Sequence, residues 1–361
     1  MLEVADIFRL HGPEYRAKFS ARMLPSHCRA MQDIEQCRTP SLGGQLYYCA
    51  QCQQQRYSYH SCKNRHCPKC QNEQANAWLA EQQNLLLPIH HFLVTFTLPE
   101  ELRALARSHQ KSIYNLLFRA SAAALQQLAQ DPRFSGGRLG MVAVLHTWTR
   151  QLHYHPHVHF IVTGGGLTAD GRWRSSRPDF LVPVKALSSI FRAQFRDQLK
   201  RTQLFAQVDP RGWRKGWVVH SEPVDSGAQA FQYLAPYIFR VAISNNRLRQ
   251  LDNGQVTFSY KESATDQLRY CTISAQEFIR RFLQHVLPPR FIKVRYYGLL
   301  SPAQRLLLQK ARQLLPVTNS KLNSAHPATL KTTAPPPLLT CPQCRGPLTL
   351  LGPLAPRGRA P

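Results

Sequence analysis

No stretch of about 18 unbroken apolar residues occurs in the chain, so no segment has the length and character of a membrane-crossing helix. The opening Met-Leu-Glu-Val-Ala-Asp also lacks the charged and then apolar regions of a secretory leader, so a soluble cytoplasmic protein with no membrane partner is expected. Acid is scarce: 20 Asp and Glu stand against 46 Lys and Arg, a formal net charge of +26. Beyond Glu277 no acidic residue remains, while Arg280, Arg281, Arg290, Lys293, Arg295 and eight later Lys or Arg do. That excess goes beyond what solubility requires and points to a polyanionic partner, nucleic acid first. No G-x-x-x-x-G-K-[ST] sequence is present, so no nucleotide cofactor is expected. Cysteine is sparse outside one stretch, with seven of ten between Cys28 and Cys70. Paired spacing there favours metal binding in a reducing compartment over a disulfide framework.

What is present suffices for a sizeable core, since 361 residues at 43% apolar content can build two domains. The first, residues 1–80, carries Cys49-Ala-Gln-Cys52 and Cys67-Pro-Lys-Cys70, separated by fourteen residues. This is close to the spacing by which two knuckles wrap one tetrahedral zinc, and four thiolates close the shell, so the expected Zn²⁺ is structural. Cys37, Cys62 and His66 are left over for a possible second site with His27 or Cys28. Arg56, Lys63, Arg65 and Lys69 interleave with Tyr47, Tyr48, Tyr57 and Tyr59, as expected of a DNA-contacting surface. Arg240 and Arg247 are further candidate DNA contacts.

In residues 81–315, His91–Leu98 and Met141–Thr147 read as strands, residues 101–130 and 186–205 as helices, and Trp217–His220 as another strand. Histidines 155, 157 and 159 recur at strand period two, so one face of an extended segment carries all three and could grip one cation. The closeness of the second and third strands in sequence argues for an antiparallel pair. Asn253-Gly254 signals a hairpin, with Leu268–Ile273 as its third strand, and Ser274…Glu277 and Ser301…Gln304 read as capping boxes. Tyr233 and Tyr237 lie one helical turn apart and can address one place, although Pro236 between them implies a kink or a later helix start. Residues 316–340, rich in Pro, Thr, Ser and Asn, read as a flexible linker before a tail, 341–361. Its Cys341-Pro-Gln-Cys344 is a lone knuckle, either half a zinc site or an incidental pair.

Ser61–Cys70, His146-Thr-Trp148, His155-Pro-His-Val-His159 and Tyr233-x3-Tyr237, in that order, resemble the rolling-circle transposases of bacterial insertion sequences. These belong to the HUH endonucleases, named for a His-hydrophobic-His strand. The resemblance runs from about residue 20 to about 315 and implies an α+β fold. A zinc-knuckle domain would precede an antiparallel β-sheet flanked by helices, bearing a divalent metal on a central strand. His157 and His159 would hold Mg²⁺ or Mn²⁺, with a third ligand from His155, His146 or Glu222; His155 is the working assignment. Tyr233 and Tyr237 would be nucleophiles on single-stranded DNA at element ends and target. Rival readings are a non-catalytic zinc-dependent DNA-binding regulator, a related replication initiator or relaxase, and a metal-dependent hydrolase that leaves no covalent link.

Overall fold

The structure is a computed structural model that describes residues 2–70, 85–224, 242–262, 265–315 and 339–357. They fall into two compact units, one of which gathers both ends of the chain. Tyr233, Tyr237 and Arg240, most of a helical apolar pattern that the sequence shows from Trp78 to about Leu87, and nearly all of the expected linker lie outside the described residues.

The unit of both ends begins with helix α1 (Val4–Phe19), whose first turn is held by the Glu3 amide donating to Asp6 Oδ2 at 3.0 Å. α1 buries Val4, Ile7, Phe8 and Tyr15, three and four apart on one stripe, and packs on α2 (Pro25–Gln36), which buries Ala30, Met31 and Ile34. A partly buried Arg16–Glu35 ion pair at 2.7 Å fixes the two helices' relative height. Strands β1 (Gly44–Cys49) and β2 (Gln54–Tyr59) form a hairpin, and β13 (Leu348–Leu354) pairs antiparallel with the free edge of β1. The carboxyl-terminal segment expected as a separate tail is therefore a strand of the amino-terminal unit's sheet.

The other unit is built on a five-stranded sheet of order β12-β4-β5-β3-β8, with every neighbouring pair antiparallel. Its strands are β3 (His91–Thr97), β4 (Gly140–Trp148), β5 (Tyr154–Thr163), β8 (Val219–Val224) and β12 (Val294–Gly298), while β6 (Gly165–Leu167) and β7 (Trp173–Ser175) pair as a separate two-stranded ribbon. The histidine segment is thus the central strand. Alternation assigns Val158, Phe160 and Val162 of β5 to one face, where they join Phe92, Phe96 and Met141. Helices α3 (Arg103–Ser108), α4 (Gln110–Ala129) and α5 (Val184–Lys200) supply this face with Leu105, Leu117, Phe118, Phe191 and Phe195. Each such phenylalanine, fully withdrawn from water, contributes on the order of 1.5–3 kcal/mol. The opposite face is divided along its length. Leu93, Val142, Val144 and Ile161 pack with Leu308 and Ala311 of α7 (Arg305–Leu314), whereas the next rows along the same strands carry histidines. Gly298 closes the sheet edge at φ +58°, where a Cβ would fall 1.8 Å from the Leu139 carbonyl oxygen, so no other residue fits.

A smaller sheet joins β9 (Leu248–Asp252), β10 (Gln255–Lys261) and β11 (Leu268–Ser274), with β9 linked to β10 by the Asn253-Gly254 turn, both of whose residues have positive φ. Ser274 caps α6 (Ala275–Leu283), its Oγ accepting from the Glu277 amide at 3.2 Å, but Glu277 turns to Arg280 and Arg281 instead of closing the box. Ser301 makes no side-chain cap, because Pro302–Gln304 is a 3-10 turn and the helix starts at Arg305. The strand expected at Trp217 begins at Val219, since Trp217 is drawn into the core and donates its indole N–H to Gly212 O at 2.9 Å. Among the described residues no helix is long and apolar enough to cross a membrane.

Two core histidines give the fold a built-in acid sensitivity. His285, held by Thr147 Oγ1 and Leu152 O at 3.2 Å each, and His91, bonded to Ile89 O at 3.0 Å, are both pulled from 6.5 to about 4 by burial. The unfolded chain takes up their protons near pH 6.5 and the folded chain only near 4, so stability is full above 6.5 and falls as pH drops through that window. Each histidine is expected to remove up to about 3 kcal/mol across it. Urea midpoints measured between pH 7 and 5 should fall, and His285→Gln should flatten part of that slope.

Candidate functional site

Strand register decides which histidines meet. His146 on β4 lies opposite His157 on β5, and Val144 opposite His159, so the three imidazoles occupy adjoining positions on one face. Their ring centroids are 5.3 Å (His146–His157), 4.6 Å (His146–His159) and 4.8 Å (His157–His159) apart. The nearest available nitrogens all lie within 4.8 Å of one another. His155, the working assignment for a third ligand, is not in this group, although its ring centre is 5.4 Å from that of His157. Glu222 is not in it either, being paired with Leu93 on the edge strand β8.

Hydrogen bonds orient the donors. The His155 carbonyl oxygen can only accept, so His157 Nδ1, 2.7 Å away, carries the proton and leaves the Nε2 lone pair free. Thr95 Oγ1 lies 2.9 Å from His159 Nδ1; for Nε2 of His159 to face a cation, Nδ1 must donate to that hydroxyl. Burial holds both rings neutral, with His157 well below the ordinary value of 6.5, further lowered by His159, and His159 lowered to about 4. Three imidazoles on one rigid face, two of them held neutral by burial and with their Nδ1 atoms bonded to second partners, are a fitting donor set for a divalent cation. Thr95→Val, which keeps shape and loses only the hydroxyl, is expected to weaken Mn²⁺ binding by about 10–100-fold in a calorimetric titration. Unchanged affinity would show that Thr95 does not orient His159.

Beside the histidines is a groove of about 280 Å³ lined by Thr97, Arg103, His155, Lys215 and neighbours. Thr97 sits across from His157 in the sheet, so the groove begins next to the histidine face. Lys215 is shared with Glu101 and, at 3.8 Å, Glu100. Burial, followed by the Arg103 cation, lowers the pKa of His155. The groove therefore presents the Arg103 cation and a neutral imidazole beside a Lys215 that Glu100 and Glu101 already pair.

The cysteines assemble differently from the spacing-based expectation. Cys67 and Cys70 come together with Cys37 and Cys62, not with Cys49 and Cys52, and His66 is in neither group. Cys49 and Cys52 instead meet Cys341 and Cys344. The reason is topological: Cys49 ends β1 opposite Leu348 of β13, which brings the carboxyl-terminal knuckle alongside the first one. Of the expected DNA contacts, Lys63 is exposed and Arg65 is half-buried, with burial lowering its pKa. Arg56 donates to Gln343 Oε1, Lys69 pairs with Glu3 at 2.5 Å, and Arg247 donates to the Ser259 carbonyl at 2.8 Å and that of Arg150. Charges committed to such partners are less available to phosphates.

A family model described as "Putative transposase" matches residues 140–306, which include all three clustered histidines. Another, described as "Transposase zinc-binding domain", matches residues 7–98, and that match together with the two cysteine groups supports structural zinc. The protein described as "Putative transposase y4qJ" of Sinorhizobium fredii is 40% identical over 354 residues, covering 92% of this chain and 87% of that protein. The "Transposase for insertion sequence element IS801" of Pseudomonas savastanoi pv. phaseolicola is 30% identical over 288 residues, covering 73% of this chain and 68% of that protein. No solved structure matches significantly.

Proposed function

This chain belongs to the insertion-sequence transposases, and on that premise we propose that it nicks and rejoins single-stranded DNA by rolling-circle transposition. The links would be 5′-phosphotyrosines formed at the site of His146, His157 and His159. The observation that carries the reading is the convergence of those three imidazoles on one face of an antiparallel sheet, two of them on its central strand. His157-Val-His159 there has the form of the His-hydrophobic-His strand of HUH endonucleases.

Chemically, the oxygen of Tyr233 or Tyr237 attacks the scissile phosphorus, the P–O3′ bond breaks, and the departing 3′ oxygen gains a proton in place of the one the phenol loses. A bound Mg²⁺ or Mn²⁺ would offset charge on the nonbridging oxygens of the phosphate. His146, His157 and His159 would hold that cation, while Arg103 in the adjoining groove would hold the flanking strand by its phosphates. Tyr114 and Tyr154 are poor candidates for the nucleophile. Their hydroxyls bond each other at 2.6 Å, burial raises both pKa values, and Tyr154 packs against the core on the face away from the histidines. Because the ester conserves the bond energy, rejoining needs no nucleoside triphosphate.

The test is a denaturing gel after incubation of the full chain with a single-stranded oligonucleotide and Mg²⁺ or Mn²⁺. A protein band carrying DNA through denaturation supports the proposal. Cut DNA with no attached protein would replace it with hydrolysis by water.

A further inference from the structure

We propose that Cys49, Cys52, Cys341 and Cys344 form a second zinc site that clasps the carboxyl-terminal strand onto the amino-terminal sheet. The family match to a zinc-binding domain ends at residue 98, so half of this donor set comes from outside it. Sulfur positions are the first argument. Cys49 Sγ lies 3.4 Å from Cys344 Sγ, and Cys52 Sγ lies 3.7 Å from Cys341 Sγ. A disulfide requires about 2.05 Å, so these are not bonded pairs. Four sulfurs each about 2.3 Å from a tetrahedral zinc sit roughly 3.8 Å from one another, close to what is seen.

Backbone form is the second argument. Each C-x2-C turn is followed at once by a residue in the left-handed region, Gln53 at φ 54° and Arg345 at φ 59°. The second knuckle is further closed by the Arg345 amide donating to Cys341 O and the Cys341 amide to Gly346 O, both at 2.8 Å. The knuckles abut: a Cβ on Gly346 would fall 2.4 Å from Gln51 Oε1 and 3.4 Å from Cys344 Sγ. Two turns of one type, face to face with sulfurs inward, are the form that a closed thiolate site takes.

Energetics give the site its purpose. No residue of β13 is fully buried, and Leu350 and Leu351 are each 54% exposed, so apolar burial contributes little to holding this strand on β1. A bound metal supplies folding free energy to such a segment. Arg56 fits the same picture: its guanidinium bonds Gln343, between the two carboxyl-terminal cysteines, and contacts Cys341. A cation there offsets the surplus negative charge of four thiolates around one zinc, a positioning task in place of the DNA contact expected of Arg56.

The experiment is metal stoichiometry on the full chain, by mass spectrometry of zinc against protein concentration. Counted with the imidazole site removed by His157→Gln/His159→Gln in every protein compared, the otherwise wild-type chain should carry two equivalents. Cys341→Ser/Cys344→Ser, Cys49→Ser/Cys52→Ser and the four changes together should each carry one, while Cys62→Ser/Cys70→Ser removes the other. One equivalent in the otherwise wild-type chain, or two in Cys341→Ser/Cys344→Ser, overturns the proposal. A readout free of folding effects in variants is hydrogen exchange of the wild type during chelation. Peptides covering residues 44–49 and 348–354 should lose protection together as zinc leaves; protection of residues 348–354 that survives complete zinc removal also overturns it. Neither readout depends on DNA cleavage, so the outcome is separate from that of the phosphotyrosine reading.

Discussion

His146→Ala is expected to lower strand cleavage as far as His157→Ala or His159→Ala does, by roughly 10³-fold or more, if each ligand removes several kcal/mol of charge stabilisation. His155→Ala should stay within about tenfold of wild type, because its loss touches the groove and leaves the donor set intact. Single-turnover nicking at saturating Mn²⁺ measures both. His146 is only 2% exposed, so alanine would leave a cavity; His146→Gln, nearly as large but without an imidazole nitrogen, separates loss of the ligand from loss of packing. DNA binding in the same variants should persist and should weaken with added salt as in wild type, since it comes from the basic surface. An inactive His155→Ala beside an active His146→Ala would return the third ligand to the histidine strand itself.

That contrast marks where sequence reading succeeds and where it stops. Period-two histidines announce one face of a strand, and the short gap between Thr147 and His153 announces a hairpin; both are local signals. Register is not local. The ladder shifts between His146 and Trp148, and one irregular residue there determines which neighbour faces His157. The cysteines show the same limit. Each C-x2-C is legible, but knuckles are interchangeable in sequence, and spacing favours the neighbour fourteen residues away over one almost 300 away. Only the pairing of β1 with β13 reveals that Cys52 meets Cys341, 289 positions later. A lone knuckle left without a partner was itself the available clue. Charge was legible as an excess, but its allocation was not, because the partners of Arg56 and Arg247 lie on other segments.

The covalent band is expected to weaken in Tyr233→Phe and in Tyr237→Phe and to vanish in the double variant, a loss of at least about 10⁴-fold if no other nucleophile replaces them. Phenylalanine keeps the ring and removes only the hydroxyl, so cation affinity and salt-dependent DNA binding should be unchanged. An ordinary phenol, with its pKa near 10, is a weak nucleophile at neutral pH. Either tyrosine therefore needs the charge stabilisation that the histidine site would provide, and Tyr→Phe and His→Ala variants should fail at the same step. Tyr154→Phe serves as the control, since its hydroxyl is tied to Tyr114 in the core. Two nucleophiles would let a second strand be cut before the first link is resolved, as moving a segment with two ends requires. If one single variant already removed every trace of the band while the other cleaved normally, one tyrosine would perform both cuts in succession. Pro236, between the two residues, would then be read as separating them. A band that survived in the double variant would place the nucleophile elsewhere in the chain.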